Sequence, residues 1–578
     1  MPKREVPVEP AVDRTVDLLV VGAGTGMVAA LAAKEQGLSV LIAEKTSYVG
    51  GSTARSGGAF WIPGSSLLTG FGGRRSDPVP AAREYIRAVV GDSAPAERGD
   101  AFVDNGAATV EMLQRLTPMK FMWAKGYSDY HPEEPGGRAE GRTCECRPLD
   151  ASVLGAERGR LRPGVMEAPV PIPVTGADYK WMNLMARKPV RALPKILRRV
   201  LQGLGGMAIG REYLAGGQAL AAGLYAGVLA AGIPVWTQTS LVRLIEDDHG
   251  KITGAVLRQN GREVEVTTRR GVVLAAGGFD HNMEWRRKYQ SEHLADQASL
   301  GSEGNTGDAI MIAEALGAGL ASMQEAWWFP AFAPLPGRAP QVMLAERSLP
   351  GSFIVDQDGR RFVNEAIDYM TFGQKLLERE RDGRPAEEMW LVFDQEYRNS
   401  YILAGAVFPR QPIPQEWYDA GIAHRASDAG ELAKLIGVPV DTFQGTYQKF
   451  NEMAARGVDA EFGRGNSAYD RYYGDPTIKP NPNLRSLHGD SLYAVKLILS
   501  DLGTCGGVVA DENARVIGED GRVIENLYAI GNTAANVFGS TYPGAGATIG
   551  QGFVFGYIAG RHAAASDRAA RRDTTHIV

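Results

Sequence analysis

Near the C-terminal end, Ser540-Thr541-Tyr542-Pro543-Gly544-Ala545-Gly546-Ala547-Thr548-Ile549-Gly550 sets a rigid phenol beside a glycine-rich turn, just after a predicted strand at residues 527–531. The Tyr542 hydroxyl and a main-chain N–H of the turn can converge there on one substrate oxygen. Two donors aimed at the same oxygen polarise a ketone, because they stabilise the charge that develops on it. The opposite end of the chain carries a glycine turn of the kind that binds dinucleotides, which points to redox chemistry.

Residues 16–21 form a strand that is apolar except for Asp17, followed by Gly22-Ala23-Gly24-Thr25-Gly26, an alanine-rich helix over 27–36 and a second strand over 39–43 ending at Glu44. In such a βαβ unit the helix N-terminus faces a pyrophosphate, and an acidic residue about 20 positions after the first glycine takes the ribose. The turn departs from the common G-x-G-x-x-G, since Gly26 comes one residue early and Met27 follows it; a shorter or differently wound turn is expected. After Lys45, Gly50-Gly51-Ser52-Thr53-Ala54-Arg55-Ser56-Gly57-Gly58 is a second glycine-rich loop with hydroxyl donors. A nicotinamide cofactor does not need it, whereas a flavin dinucleotide lying across several loops does, so the expected cofactor is FAD. The expected contacts are Gly22, Gly24, Gly26, Glu44, Lys45, Gly51, Ser52, Thr53, Ser56, Gly57 and Gly58, joined by Ala276, Gly277, Asp308, Gly531, Asn532, Ala547 and Ile549.

With 578 residues the chain exceeds a single core and calls for two to four domains. Its 44% apolar and 22% charged residues are those of a soluble globular protein, and 71 glycines promise frequent turns. A net charge of −5 supplies no basic excess for phosphates, so no nucleic-acid partner is expected. Cys144, Cys146 and Cys505 are odd in number, and the histidines are scattered; neither a disulfide framework nor a metal site is expected. Residues 1–14 are charged and proline-bearing, and the apolar run behind them is too short for a signal core, so a cytoplasmic location is expected. The charge-free stretch 213–240 is broken by glycines and Pro234 and reads as a buried helix followed by a strand.

Short strands over 235–239, 241–245, 251–258 and 263–268, joined at Asp248-His249-Gly250 and Asn260-Gly261, form a meander. It returns to the dinucleotide sheet through an apolar strand over 271–276. A further return is the strand over 527–531, with a closing helix over 550–564. The expected fold is α/β: a Rossmann-type FAD-binding domain built from discontinuous segments, 1–320 and 486–578, with an α+β catalytic domain inserted at 321–485. Residues 140–210 are a further insertion, in which prolines 163, 169, 171, 173, 189 and 194 interrupt regular structure.

Within that insertion, Lys180, Arg187, Lys188, Arg191, Lys195, Arg198 and Arg199 alternate with apolar residues at helical spacing, without an acidic residue between them. A basic amphipathic segment of this kind lies in a membrane interface, each basic residue contributing about 1 kcal/mol near an anionic leaflet. Residues 180–204 are therefore expected to dock on a membrane surface, or else on another subunit.

Four motifs in order make the chain resemble the 3-ketosteroid Δ1-dehydrogenases, FAD enzymes of the wider fumarate reductase and succinate dehydrogenase flavoprotein group. They are the loop at 50–58, Tyr127-Ser128-Asp129-Tyr130, Asn364-Glu365-Ala366-Ile367-Asp368-Tyr369 and Thr541-Tyr542-Pro543-Gly544-Ala545-Gly546. The resemblance implies that Tyr542 O–H and Gly546 N–H hold the C3 carbonyl oxygen, that Tyr369 takes the C2 proton and that Tyr130 assists it, with Tyr127 as a competitor for that role. It also implies hydride transfer from C1 to the flavin and a membrane-associated member acting on sterol-derived ketones that keep their side chain; re-oxidation falls to an external electron acceptor, quinone-like or of another kind. A phenol of pKa near 10 is a poor base at neutral pH unless a neighbour stabilises its anion. Phe60, Trp327, Phe329 and Phe353 are the expected walls for the steroid.

Other readings of the same scaffold are a Δ4(5α)-ketosteroid dehydrogenase and a fumarate- or acrylate-type reductase. A dicarboxylate reductase needs paired cations over the flavin, where this chain has phenols and other aromatics. A non-catalytic, membrane-docked electron module would need Fe–S cysteine runs or a haem motif, and the sequence has neither.

Overall fold

The computed structural model describes residues 14–69, 77–165, 172–296 and 298–573, the side chains of the last helix being described to residue 565. The N-terminal residues 1–13 and the prolines expected to interrupt structure at 169 and 171 lie outside the described residues.

The apolar strand Thr15–Val21 forms the centre of an eight-stranded sheet. It runs parallel to Val40–Ala43 on one side, pairing Val20 with Ile42, and to Arg262–Leu274 on the other, pairing Val20 with Val273. Val523–Ala529 and Val235–Trp236 extend the parallel set outward. Where these strands are covered on both faces, at Leu18–Val21, Val40–Ala43 and Val272–Leu274, they have no solvent side to mark and read as unbroken apolar runs. Their carboxyl ends bring Gly22, Glu44, Ala275 and Gly531 to one edge, the place where open α/β sheets bind ligands.

Two strands expected at 263–268 and 271–276 are one, Arg262–Leu274, which carries the meander strand Ile252–Gln259 at one end and the parallel core at the other. The helix Gly26–Glu35 begins at the early glycine. A Cβ on Gly26 would come within 2.9 Å of Val20 Cγ1, so the early glycine serves close helix-to-strand packing. The closing helix, Ala547–Asp573, is longer at both ends than expected and packs along Gly26–Glu35.

The second sheet is antiparallel, with Ala326–Phe332, Leu492–Thr504, Met389–Asp394 and Ser352–Asp356 side by side. The border expected at 485/486 is displaced, because Leu492–Thr504 hydrogen-bonds to both Ala326–Phe332 and Met389–Asp394. That long strand then turns back to the dinucleotide sheet near Cys505. The insertion expected at 140–210 also begins in the core: Thr143–Cys146 is the middle strand of a small sheet between Ala59–Trp61 and Phe121–Trp123. Beyond it, Gly176–Asn183 and Pro189–Ala208 form a helical hairpin. Pro194 lies inside the second helix without ending it, contrary to the expected interruption.

Candidate active site

Three phenols from three distant segments meet at the junction of the two sheets. The Tyr130 hydroxyl donates to the Tyr369 hydroxyl at 2.6 Å. The Tyr542 ring lies 5.4 Å from that of Tyr369 and 5.1 Å from that of Tyr130, both edge-on. The Tyr542 oxygen accepts from Gly546 N–H at 3.4 Å and from Thr548 Oγ1 at 3.1 Å. Thus the phenol and the glycine amide expected to share one oxygen stand side by side, with the two other phenols across from them.

Each segment is locked from behind. Pro543 O accepts from Tyr130 N and from Tyr85 Oη, which ties the Tyr130 loop to the Tyr542 turn. Asp129, buried beside Tyr130, takes Trp61 Nε1 at 2.9 Å and a guanidinium nitrogen of Arg142. Gly546 has φ +90°, and a Cβ on it would fall 2.4 Å from the backbone of Ala59. Tyr369 opens the helix Tyr369–Arg381, whose N-cap Asp368 accepts from Thr371 N. The loop before it is held by Arg347, fully buried, donating to the carbonyls of Glu365 and Ile367.

The electrostatics of Tyr369 oppose one another. Burial first, and then the neighbouring Tyr542, Tyr127 and Tyr469 phenols, raise its pKa well above the ordinary value, while the bond from Tyr130 lowers it. The positive end of its own helix also favours an anion there. Tyr130 is pushed up in the same way by burial. Tyr127 is not the partner of Tyr369: it lines the adjoining cavity and stacks on Tyr472 at 4.4 Å between ring centres.

A cavity of about 1410 Å³ runs from the carboxyl edge of the parallel sheet to these phenols. The ordinary range for one small ligand is roughly 300–1,000 Å³, so this space fits a dinucleotide and a second molecule together. Of the expected cofactor contacts, Gly22, Gly24, Glu44, Lys45, Gly51, Ser52, Thr53, Ser56, Gly57, Gly58, Ala276, Gly277, Asp308, Gly531, Asn532 and Ile549 line it. Gly26 and Ala547 do not: the one is packed on Val20, the other is buried as the first residue of the closing helix. Glu44 accepts from Ala23 N at 2.9 Å and from Thr46, which holds its carboxylate at the mouth of the glycine turn. Lys45 pairs with Asp308 at 2.6 Å. The donor set and the continuous glycine-lined trough fit FAD. Arg55, Asn305 and Thr548 also line the cavity; Arg55 and Thr548 lie within the motifs at 50–58 and 540–550, and Asn305 within Gly304-Asn305-Thr306-Gly307-Asp308, a segment whose sequence suits either a flavin contact or a cap for the helix that follows.

Of the four aromatic residues expected to form the steroid walls, only Phe329 lines the cavity, packed 4.7 Å from Tyr369. Trp327 lies behind Tyr542, ring centres 4.7 Å apart, with Nε1 donating to Asn532 Oδ1. Phe60 faces away, against Phe121 and Phe553, because strand alternation turns its neighbour Ala59 toward the cavity. Phe353 belongs to a different core, against Phe450 at 4.9 Å, for the same reason. The walls beyond the phenols are instead Val174, Met182, Met185, Ile196, Val342 and Phe408, several of them from the helical hairpin, which roofs this end.

Residues 17–549 match the FAD binding domain family. The 3-oxosteroid 1-dehydrogenase of Mycolicibacterium smegmatis is 42% identical over 96% of this chain and 98% of its own length. The chain belongs to the 3-oxosteroid 1-dehydrogenases. It is accordingly an FAD-dependent oxidoreductase. A crystal structure of 3-ketosteroid Δ1-dehydrogenase from Sterolibacterium denitrificans, in complex with 1,4-androstadiene-3,17-dione, superposes with a TM-score of 0.89 at 35% identity, covering 96% of this chain and 100% of the other. The 4-oxocyclohex-2-ene-1-carboxylate 5-dehydrogenase of Sinomonas cyclohexanicum is 34% identical over 95% of this chain and 93% of its own length.

Proposed function

We propose that the protein introduces the 1,2 double bond into 3-keto-4-ene steroids, with Tyr369, Tyr130, Tyr542 and Gly546 as its working groups. The observation that carries this reading is the Tyr130–Tyr369 contact of 2.6 Å beside Tyr542 and the Gly546 amide. Bound FAD supplies the acceptor for the hydride that leaves C1. Tyr542 O–H and Gly546 N–H hold the C3 carbonyl oxygen and stabilise the charge that reaches it when the C2 proton departs; one such donor is worth ~2.7–4 kcal/mol. Tyr369 receives that proton, and Tyr130, donating to the Tyr369 oxygen, makes its anion accessible inside a buried site. Phe329 fixes the Tyr369 ring against the substrate, which matters because a 1 Å error costs about 100-fold.

The size and apolar walls of the cavity favour a four-ring ketone over a monocyclic one such as the oxocyclohexene carboxylate named for the Sinomonas relative. Space under the helical hairpin suits a ketone that keeps its C17 side chain. An external acceptor, quinone-like in chemistry, re-oxidises the cofactor. Val190, Leu193, Leu197, Leu201 and Leu204 form an exposed apolar stripe along Pro189–Ala208, flanked by Lys188, Arg191, Lys195 and Arg198. That stripe supports docking on an anionic membrane surface; no described helix is long and apolar enough to cross a membrane.

Anaerobic addition of androst-4-ene-3,17-dione to the purified flavoprotein should bleach the flavin absorbance and yield the 1,4-diene, while succinate and 4-oxocyclohexanecarboxylate should not. Bleaching by either carboxylate at a comparable rate would replace the steroid reading.

A further inference from the structure

Behind the cofactor trough lies a buried polar cluster that the proposed chemistry does not use. Asp280, Asp501, Ser299 and Asn305 are all at most 7% exposed. Ser299 Oγ stands 2.7 Å from Asp501 Oδ1 and 3.2 Å from Asp280 Oδ2, and it accepts from Gly301 N at 3.1 Å. Asp501 is fully supplied with donors, from Gly503 N at 2.8 Å and Arg286 at 2.7 Å. Asn305 Nδ2 spends one hydrogen on Asp280, at 3.1 Å, and the other on Ser52 Oγ, at 2.9 Å.

A serine hydroxyl has one hydrogen, and two ionised carboxylates would both require it. If Ser299 donates to Asp501, whose charge Arg286 balances, the remaining contact to Asp280 closes only when Asp280 carries a proton and donates to Ser299 Oγ. The other Asp280 oxygen is then an acceptor, which fixes the orientation of the Asn305 amide. Ser52 Oγ accepts from Asn305 Nδ2 and from Ser302 N at 3.0 Å, so both its lone pairs are used. Its hydroxyl hydrogen is left to point into the cavity that Ser52 lines.

We infer that Asp280, held as a neutral acid, is a positioning residue that commits the Ser52 hydroxyl, through Asn305, to donate to an acceptor atom of the bound cofactor. The inference rests on the FAD reading of the trough but not on the steroid reaction. The charged and titratable groups around Asp280 act in both directions. Burial and then the Asp501 carboxylate push its pKa from 3.8 up to about 6, against His281, whose Nε2 is 3.8 Å away and donates to Gly301 O, and against Arg286, so the geometry of the shared Ser299 hydrogen and not the charge balance carries the assignment. Arg55 is the remaining cation near it, turned toward Leu300 O.

The test is FAD release from the loaded protein on serial dilution, read as the rise of free-flavin fluorescence, with steroid turnover measured separately. Asp280→Asn keeps both the donor and the acceptor of a neutral acid and should hold FAD within about threefold of the parent. Asp280→Ala should weaken retention about tenfold or more, in line with the loss of a buried hydrogen bond. Ser52→Ala, which removes only one oxygen, should give a similar loss, and the double variant Ser52→Ala/Asp280→Ala should be no worse than either alone. Equal damage from Asp280→Asn and Asp280→Ala would overturn the neutral acid, and unchanged retention in Ser52→Ala would overturn the committed donor. Weak FAD binding with normal turnover per bound flavin leaves the steroid reading intact, so the two proposals fail separately.

Discussion

The hydroxyls of Tyr130 and Tyr369 lie 2.6 Å apart, although 239 positions separate the residues in the chain. The contact joins a loop pinned on the closing turn by Pro543 to the first residue of a helix in the second sheet's domain, so it exists only when the two parts of the molecule are docked. A base assembled in this way is switched on by folding and carries no cost of reorganisation during turnover.

Removing the donor should raise the pH at which the base works. Tyr369 is pushed up by burial and pulled down by its bond from Tyr130. Tyr130→Phe deletes the lowering contribution, so the Tyr369 pKa rises further and the alkaline-side ascent of kcat moves to higher pH. A kcat profile over pH 6 to 10 should show that displacement together with a fall at neutral pH of about 10- to 100-fold; an unshifted profile would remove Tyr130 from the role. Tyr369→Phe should lose nearly all turnover at every pH while keeping FAD.

Tyr542→Phe should leave FAD bound and lower kcat for a 3-keto-4-ene steroid by about 100- to 1,000-fold, the loss expected for one donor to a developing oxyanion. Single-turnover flavin reduction is the direct readout. An unchanged rate would place the ketone oxygen elsewhere.

Gly546→Ala tests the same oxygen site through the backbone. The residue sits at φ +90° with Ala59 backbone 2.4 Å from where the methyl would be, so the turn must move and carry its N–H away from Tyr542 Oη. Turnover should fall at least as far as in Tyr542→Phe, with a weaker effect on FAD retention than Ser52→Ala.

How much of this was legible beforehand depended on what each residue type can report. The parallel strands were readable because strands covered on both faces must be apolar throughout, and Leu18–Val20 are fully buried as that requires. The glycine trough was readable because backbone that approaches a ligand leaves glycine behind. The walls were not. Phe60 and Phe353 are buried, as their type suggests, but burial does not say toward which face; that is set by strand register, which turned Ala59 to the cavity instead. The strand Leu492–Thr504 was assigned to the wrong domain because its partners, Ala326–Phe332 and Met389–Asp394, are far away in sequence. Asn305 sits in Gly304-Asn305-Thr306-Gly307-Asp308, whose sequence suits a flavin contact and a helix cap equally, while Asp280 carried no motif, since its contacts to Ser299 and Asn305 arise only in three dimensions.

Glu145 makes a pH-dependent stability prediction. Its carboxyl faces the cavity, Oε2 accepts from Ala177 N at 3.2 Å, and Oε1 has no partner. Burial pushes its pKa from 4.5 up to about 7. In the folded protein it therefore keeps its proton over a range where the unfolded chain has lost it, so this group makes stability fall as pH rises from about 4.5 to about 7. Glu145→Gln should melt close to the parent at pH 4.5 and above it at pH 8, by at most about 3 kcal/mol. Melting curves of the FAD-loaded proteins at the two pH values decide it; parallel behaviour would mean that water or a partner satisfies the carboxylate.

The exposed stripe on Pro189–Ala208 yields the last prediction. Leu193, Leu197 and Leu201 are 55–62% exposed, while Arg199 on the opposite face is buried against Asp178 at 2.6 Å. Changing the three leucines to serine therefore removes apolar surface without touching the hairpin's internal pairing. Each leucine inserted into an interface contributes about 1.5–3 kcal/mol, so the triple variant should lose essentially all co-sedimentation with anionic vesicles while keeping its flavin spectrum and its turnover of a water-soluble steroid. Reversing Lys188, Arg191 and Arg198 to glutamate should weaken binding to anionic vesicles far more than to neutral ones, as attraction to a charged leaflet requires. Loss of self-association in place of vesicle binding would reassign the stripe to a subunit contact.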